Sequence, residues 1–182
     1  RLIEIAEPLY VGAARNVGID ASRAPFVAFL AGDCLAAPGW NAARLRRHHA
    51  GALTVASPVT PVDGAGLVAE AANRLLYWVR RPDTPLAMVA PFGRSYHRRL
   101  FDLVGYFPPG LRISEDDRLN RLADCIAPPV WAPEVLTRHR DPAGLRDLLR
   151  AQVKRGENRA DHAPFRAMAT QAEGGGVFAP PD

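Results

Sequence analysis

Apolar positions along the chain follow two rhythms. Short continuous runs closed off by proline or glycine alternate with stretches in which apolar residues return every three or four positions. Phe26–Leu30, between Pro25 and Gly32, is a run of the first kind and predicts a buried strand. Ala52–Ala56 and Thr84–Ala90 read the same way, and Leu2–Ile5 reads as a shorter strand. Helical spacing is found over Gly12–Ser22, Trp40–His49 and Leu67–Arg80. The last of these carries an apolar stripe of Leu67, Ala71, Leu75, Leu76 and Val79. His97–Val104 predicts a short helix that Gly105 stops. Ser114 opens another to about Asp124, with Ser114 and Asp117 at capping-box spacing. Val130–Ala132 and Val135–Thr137 read as extended pieces. Asp141-Pro142 predicts a helix start, followed by an apolar face of Leu145, Leu148, Leu149 and Val153.

Strands alternating with helices imply an α/β fold, a mostly parallel sheet flanked by helices. Ligands of such sheets sit beyond the carboxyl ends of the strands, which singles out Ala31–Cys34. The 182 residues suit one domain over 1–172. A flexible tail is expected over 173–182, where Gly174-Gly175-Gly176 and Pro180-Pro181 fall.

Charge adds a ligand class. The net charge is +4, and every basic residue but Lys154 is arginine. Guanidinium groups fork onto phosphate oxygens, so a diphosphate ligand fits. The arginines are scattered and form no basic run, which argues against nucleic acid. Cys34 and Cys125 make neither a disulfide framework nor a metal-ligand spacing, as in a reducing compartment. No apolar run reaches the length of a membrane span. Neither a methionine nor a signal peptide opens the chain, and Arg1 reads as mid-domain sequence.

Several side chains carry candidate chemistry. Asp33 directly follows a buried strand, where a carboxylate either holds a divalent cation or caps the next turn. Glu115, Asp116 and Asp117 share the first turn of a helix, where acids cap and where one can serve as a general base. His48 and His49 stand at a helix C-terminus, a favourable place for a charged imidazole. His97 lies among arginines. His139, after a short extended piece, is either a structural histidine or, of the five, the one best placed for a metal or a diphosphate. Arg15 and Arg155 can each contact phosphate or lie on a solvated helix face.

The order of these residues resembles a known family. Ala14-Arg15-Asn16-Val17-Gly18, an apolar strand ending at Ala31-Gly32-Asp33, and Pro38-Gly39-Trp40 look like the middle of a family-2 glycosyltransferase of the GT-A fold. Gly93–Arg99, running on to Gly105-Tyr106-Phe107, is similar to the segment leading to that family's acceptor site. Ser114-Glu115-Asp116-Asp117 resembles its Glu-Asp motif. The likeness spans about Val11 to Arg155.

It implies a GT-A-like fold and transfer of a sugar, with inversion, from a nucleotide-diphosphate sugar to an acceptor hydroxyl. Asp116, with Glu115 beside it, is then the catalytic pair. Arg15, Asn16, Asp33 and Arg155 bind the donor, and Asp33 and His139 hold Mg²⁺ or Mn²⁺. The partners implied are a nucleotide-sugar donor and a glycan or lipid-linked acceptor, with no nucleic acid. The place implied is the cytoplasm. Leu75–Arg81, which joins apolar, aromatic and basic residues, reads either as a core-facing helix with a basic end or as peripheral contact at the inner membrane face.

Three departures stand against the family pattern. Ala31 replaces the first acid of Asp-x-Asp, which weakens the expected metal site and leaves a non-catalytic binding module as the alternative. Gly156 stands where processive synthases carry the tryptophan of Gln-x-x-Arg-Trp, here Gln152 and Arg155, so a non-processive enzyme is expected. The family's nucleoside-binding strand–helix–strand has no counterpart before Arg1, so the fold is expected to be N-terminally incomplete, or the chain an inactive fragment.

Overall fold

The computed structural model describes residues 2–85, 88–89 and 93–157. Its helices begin with α1 (Val11–Asp20), α2 (Trp40–His49) and α3 (Leu67–Tyr77), the last continued by a 3-10 turn, Trp78–Arg80. They continue with α4 (Arg99–Val104), α5 (Glu115–Ile126) and α6, over 145–157. The described residues also form seven short strands: β1 (Phe26–Ala28), β2 (Cys34–Ala36), β3 (Thr54–Ala56), β4 (Val59–Pro61), β5 (Ser95–His97), β6 (Val130–Trp131) and β7 (Thr137–His139).

Two sheets form, and both are mixed. One has the order β1-β5-β3-β6, with β5 antiparallel to β1 and β3 and with β6 parallel to β3. The other is β2-β7-β4, with β7 antiparallel to β2 and parallel to β4. The mostly parallel sheet expected from the alternating pattern is therefore corrected. Alternation implies parallel strands only if each connection returns the chain to the same end of the sheet. The connection through α3 and 78–94 delivers β5 to the opposite end, so β5 enters between β1 and β3 running against both.

The helix starts show which local signals prevail. Pro38-Gly39-Trp40 behaves as read: Gly39 takes φ 79°, a left-handed conformation that glycine alone adopts without cost. Trp40 is thereby turned inward, and its indole N–H donates to Thr137 Oγ1 at 2.9 Å. The capping box does not form. Ser114 sits at φ 62°, ψ 19° and makes no cap hydrogen bond, while Asp117 pairs with Arg121 one turn on. Nor does Asp141 cap α6, which begins only at 145. Its carboxylate is held instead by His139 and Asn73. Leu2–Ile5 is exposed coil with no strand partner among the described residues. The run 84–90 forms no strand over its described residues 84, 85, 88 and 89, where Pro85 also removes a ladder donor.

The core lies on both sides of the larger sheet's strands. Ile19, Val27, Tyr96, Leu100, Phe101, Phe107 and Leu119 pack into one cluster, and Trp40, Ala43, Val55, Ala132 and Val135 into another. Between α2 and the sheet runs a polar seam. Arg44, only 3% exposed, stacks on Trp40 and donates to Val55 O, Ser95 Oγ and Ser57 Oγ. Burial, with Arg80 nearby, lowers its guanidinium to about 10, so it stays charged at neutral pH. His48 bridges Ala52 O and Ser95 Oγ at 2.7 and 2.9 Å. The charged helix-end histidine expected at His48 is thus corrected: burial pushes its pKa down.

Candidate functional site

One large cavity, of about 720 Å³, opens where the two sheets meet α1, α3 and α5. Its floor is the segment Phe29–Cys34 that leaves β1, as expected for a site beyond a strand's carboxyl end. Arg15 of α1, Asp116 of α5, His139 of β7 and Arg155 of α6 stand around it with Asp33. These five residues, far apart in sequence, are brought together.

At one end lies a cluster of donor atoms. The β2–β7 ladder pairs Cys34 directly opposite His139. The ring nitrogen Nε2 of His139 lies 3.3 Å from Asp33 Oδ2, and Cys34 Sγ lies 3.6 Å from Asp33 Oδ1. One ligand atom from each of the three falls within 4.8 Å of the others. On the far side of the ring, Nδ1 lies 2.9 Å from Asp141 Oδ1. The Asp141 carboxylate is fully buried and also accepts from Asn73 Nδ2 at 2.8 Å. Sequence spacing had set the cysteines aside; strand register, which spacing does not encode, puts Cys34 in the cluster. Carboxylate oxygen beside imidazole nitrogen is a donor set that a divalent cation can use.

At the other end stands Asp116, half-buried, in the first turn of α5. It takes part in no hydrogen bond or ion pair among the described residues, so its carboxylate is available to a ligand. The residue two before it, Ser114, is the only non-glycine residue with positive φ among those described. Held backbone strain of this kind gathers at functional sites. Glu115 differs from its neighbour. It is 7% exposed and accepts from Arg15 Nη1 at 2.8 Å. Burial pushes its pKa up and the charge of Asp116 adds to this, against Arg15 and the helix backbone. Arg15 also lies over the Phe29 and Phe107 rings, at 5.4 and 5.1 Å.

Asn16 is placed elsewhere. It clamps the Phe107 backbone, donating to the carbonyl at 2.8 Å and accepting from the N–H at 3.1 Å, and lines a second cavity of about 460 Å³. Sequence reasoning overlooked the remaining cavity arginines. Arg44, Arg80 and Arg94 join Arg15 and Arg155, so five arginines and two aspartates face the cavity. Arg15 is already paired with Glu115 and Arg94 with Asp124, so the lining keeps only a small positive excess for an anionic ligand. Arg80, at the basic end of α3 and its 3-10 continuation, turns inward, over Tyr77 and against Gly93. Burial raises the Tyr77 pKa, and Arg155, hydrogen-bonded to its hydroxyl, works against that rise. No helix among the described residues is long and apolar enough to cross a membrane.

No protein-family model matches the sequence, and no curated protein matches it either.

Proposed function

We propose that this chain is an inverting, non-processive glycosyltransferase with a GT-A-like fold, acting on a nucleotide-diphosphate sugar with metal assistance. One observation carries the proposal: an available carboxylate, Asp116, and a carboxylate–imidazole pair, Asp33 and His139, line the same arginine-rich cavity. Sugar transfer from a diphosphate needs both halves of that arrangement. Asp116 accepts the proton of the acceptor hydroxyl as its oxygen bonds to the anomeric carbon. The bond from that carbon to the diphosphate oxygen breaks in the same step, and the nucleoside diphosphate leaves with the bonding pair. A cation held by Asp33 and His139 would offset the charge that develops on the departing diphosphate. Arg155 and Arg80, on the same wall, meet the remaining charge without the reorganisation that water would require. Arg15 acts one step back, holding Glu115 so that the first turn of α5 presents Asp116.

In this scheme the enzyme works in the cytoplasm on a glycan or lipid-linked hydroxyl. Leu75 and Trp78, both more than half exposed, with the exposed Arg74 on the same helix, suit peripheral contact with the membrane holding such an acceptor.

The test is release of nucleoside diphosphate from UDP-, GDP- and dTDP-sugars by the wild-type chain and by Asp116→Asn. The variant should lose about 10²–10⁴-fold in rate and melt at the same temperature. Equal rates would remove Asp116 as the base. Release from none of the sugars would leave the non-catalytic binding module as the better account.

A further inference from the structure

Dependent on the metal-assisted site proposed above, we infer that Cys34 is a third protein ligand and that the site prefers a thiophilic divalent cation, Zn²⁺ or Co²⁺, over Mg²⁺. The ladder between β2 and β7 places Cys34 and His139 directly opposite each other, the arrangement in which cross-strand side chains come closest. His139 Nε2 lies 3.3 Å from Asp33 Oδ2, Cys34 Sγ lies 3.6 Å from the other oxygen, Oδ1, and one ligand atom from each of the three falls within 4.8 Å of the others, a cluster compact enough to converge on one ion.

The surroundings of His139 point the same way. The buried Asp141 carboxylate, itself held by Asn73, lies 2.9 Å from Nδ1 and fixes the ring with Nε2 toward Asp33. A carboxylate behind a ligating imidazole is the usual support of a zinc site. Oxygen ligands alone suit Mg²⁺, whereas imidazole and thiolate move the preference to softer ions. Three protein donors leave a fourth position, which here opens onto the cavity and can take a substrate oxygen.

Burial and the adjacent Asp33 carboxylate push the Cys34 thiol up to about 11. When the sulfur–metal bond forms, the thiol proton passes to solvent and a cation takes its place beside Asp33.

The test is titration of the full chain with Co²⁺ under reducing conditions, followed by absorption. Thiolate bound to Co²⁺ gives a near-ultraviolet charge-transfer band. The wild-type chain and Cys125→Ser should both show the band; Cys34→Ser should lose it, with an unchanged melting curve attesting to its fold. Equimolar Zn²⁺ should displace Co²⁺, and a large excess of Mg²⁺ should not. Co²⁺ bound without the band, or a band that survives in Cys34→Ser, would overturn the role of Cys34 and leave the Asp33–His139 site standing. Absence of any Co²⁺ binding would overturn both.

Discussion

His139 is held between two carboxylates: its Nδ1 lies 2.9 Å from Asp141 and its Nε2 3.3 Å from Asp33. The two acids are not equivalent. Asp141 is fully buried and also serves Asn73, whereas Asp33 is more than half exposed at the cavity. One fixes the ring; the other is available to share a ligand with it. Asp141→Asn should therefore weaken Mn²⁺ or Co²⁺ binding by about 10–100-fold, measured by calorimetry. In a His139→Ala background the same change should cost little further affinity, because Asp141 acts through the ring. Additive losses would mean that Asp141 only supports the fold.

Glu115 and Asp116 are neighbours with separate tasks. Glu115→Gln leaves the Arg15 guanidinium without its carboxylate and should cost about 1–3 kcal/mol, read from chemical denaturation. Asp116→Asn should leave stability unchanged and slow transfer by about 10²–10⁴-fold. An Asp116→Asn variant as unstable as Glu115→Gln would contradict this division.

Two glycines of α1 should respond in opposite directions to alanine. A Cβ at Gly12 would lie 2.4 Å from Pro108 O, a backbone atom that cannot step aside, so Gly12→Ala should destabilise by about 1–3 kcal/mol. Gly18 has nothing within 4 Å of that position, so Gly18→Ala should stabilise by about 0.4–1 kcal/mol through the unfolded chain. Melting curves of the two variants decide it.

His48 should make stability depend on pH. It is buried against the Phe26 ring and bonded to Ala52 and Ser95, with Arg44, His49 and His97 nearby, and burial lowers its pKa below the ordinary 6.5. In the unfolded chain it takes up a proton near pH 6.5, which the folded chain refuses until lower pH. Its contribution is thus complete above pH 6.5 and is lost as the pH falls toward the folded value. The melting-temperature advantage of wild type over His48→Gln should be larger at pH 7.5 than at pH 5. An advantage that grows on acidification would mean that His48 is charged in the fold.

Much of this was legible in the residues, wherever a local rule acted alone. Pro38-Gly39-Trp40 announced α2 because a left-handed glycine and an inward tryptophan need no distant partner. Asp33 and Asp116 stood out because an acid just past an apolar strand, or crowded into a helix's first turn, calls for a reason. What escaped depended on pairing. Cys34 meets His139 only through the β2–β7 register. Asp141 had the form of a helix cap, and a buried imidazole competed for it successfully. The direction of β5 was illegible because alternation does not say at which end of a sheet a connection arrives.

The most direct test of the central claim is the melting temperature with UDP, GDP and dTDP, each with and without Mn²⁺ or Co²⁺, for the wild-type chain and for Asp33→Asn. A ligand at 100 times its Kd stabilises the fold by about 2.7 kcal/mol, several degrees for a chain of this size. The account predicts a rise with one nucleotide, dependent on the cation and lost in Asp33→Asn. No rise with any nucleotide, or a rise that neither the cation nor Asp33 affects, would contradict it.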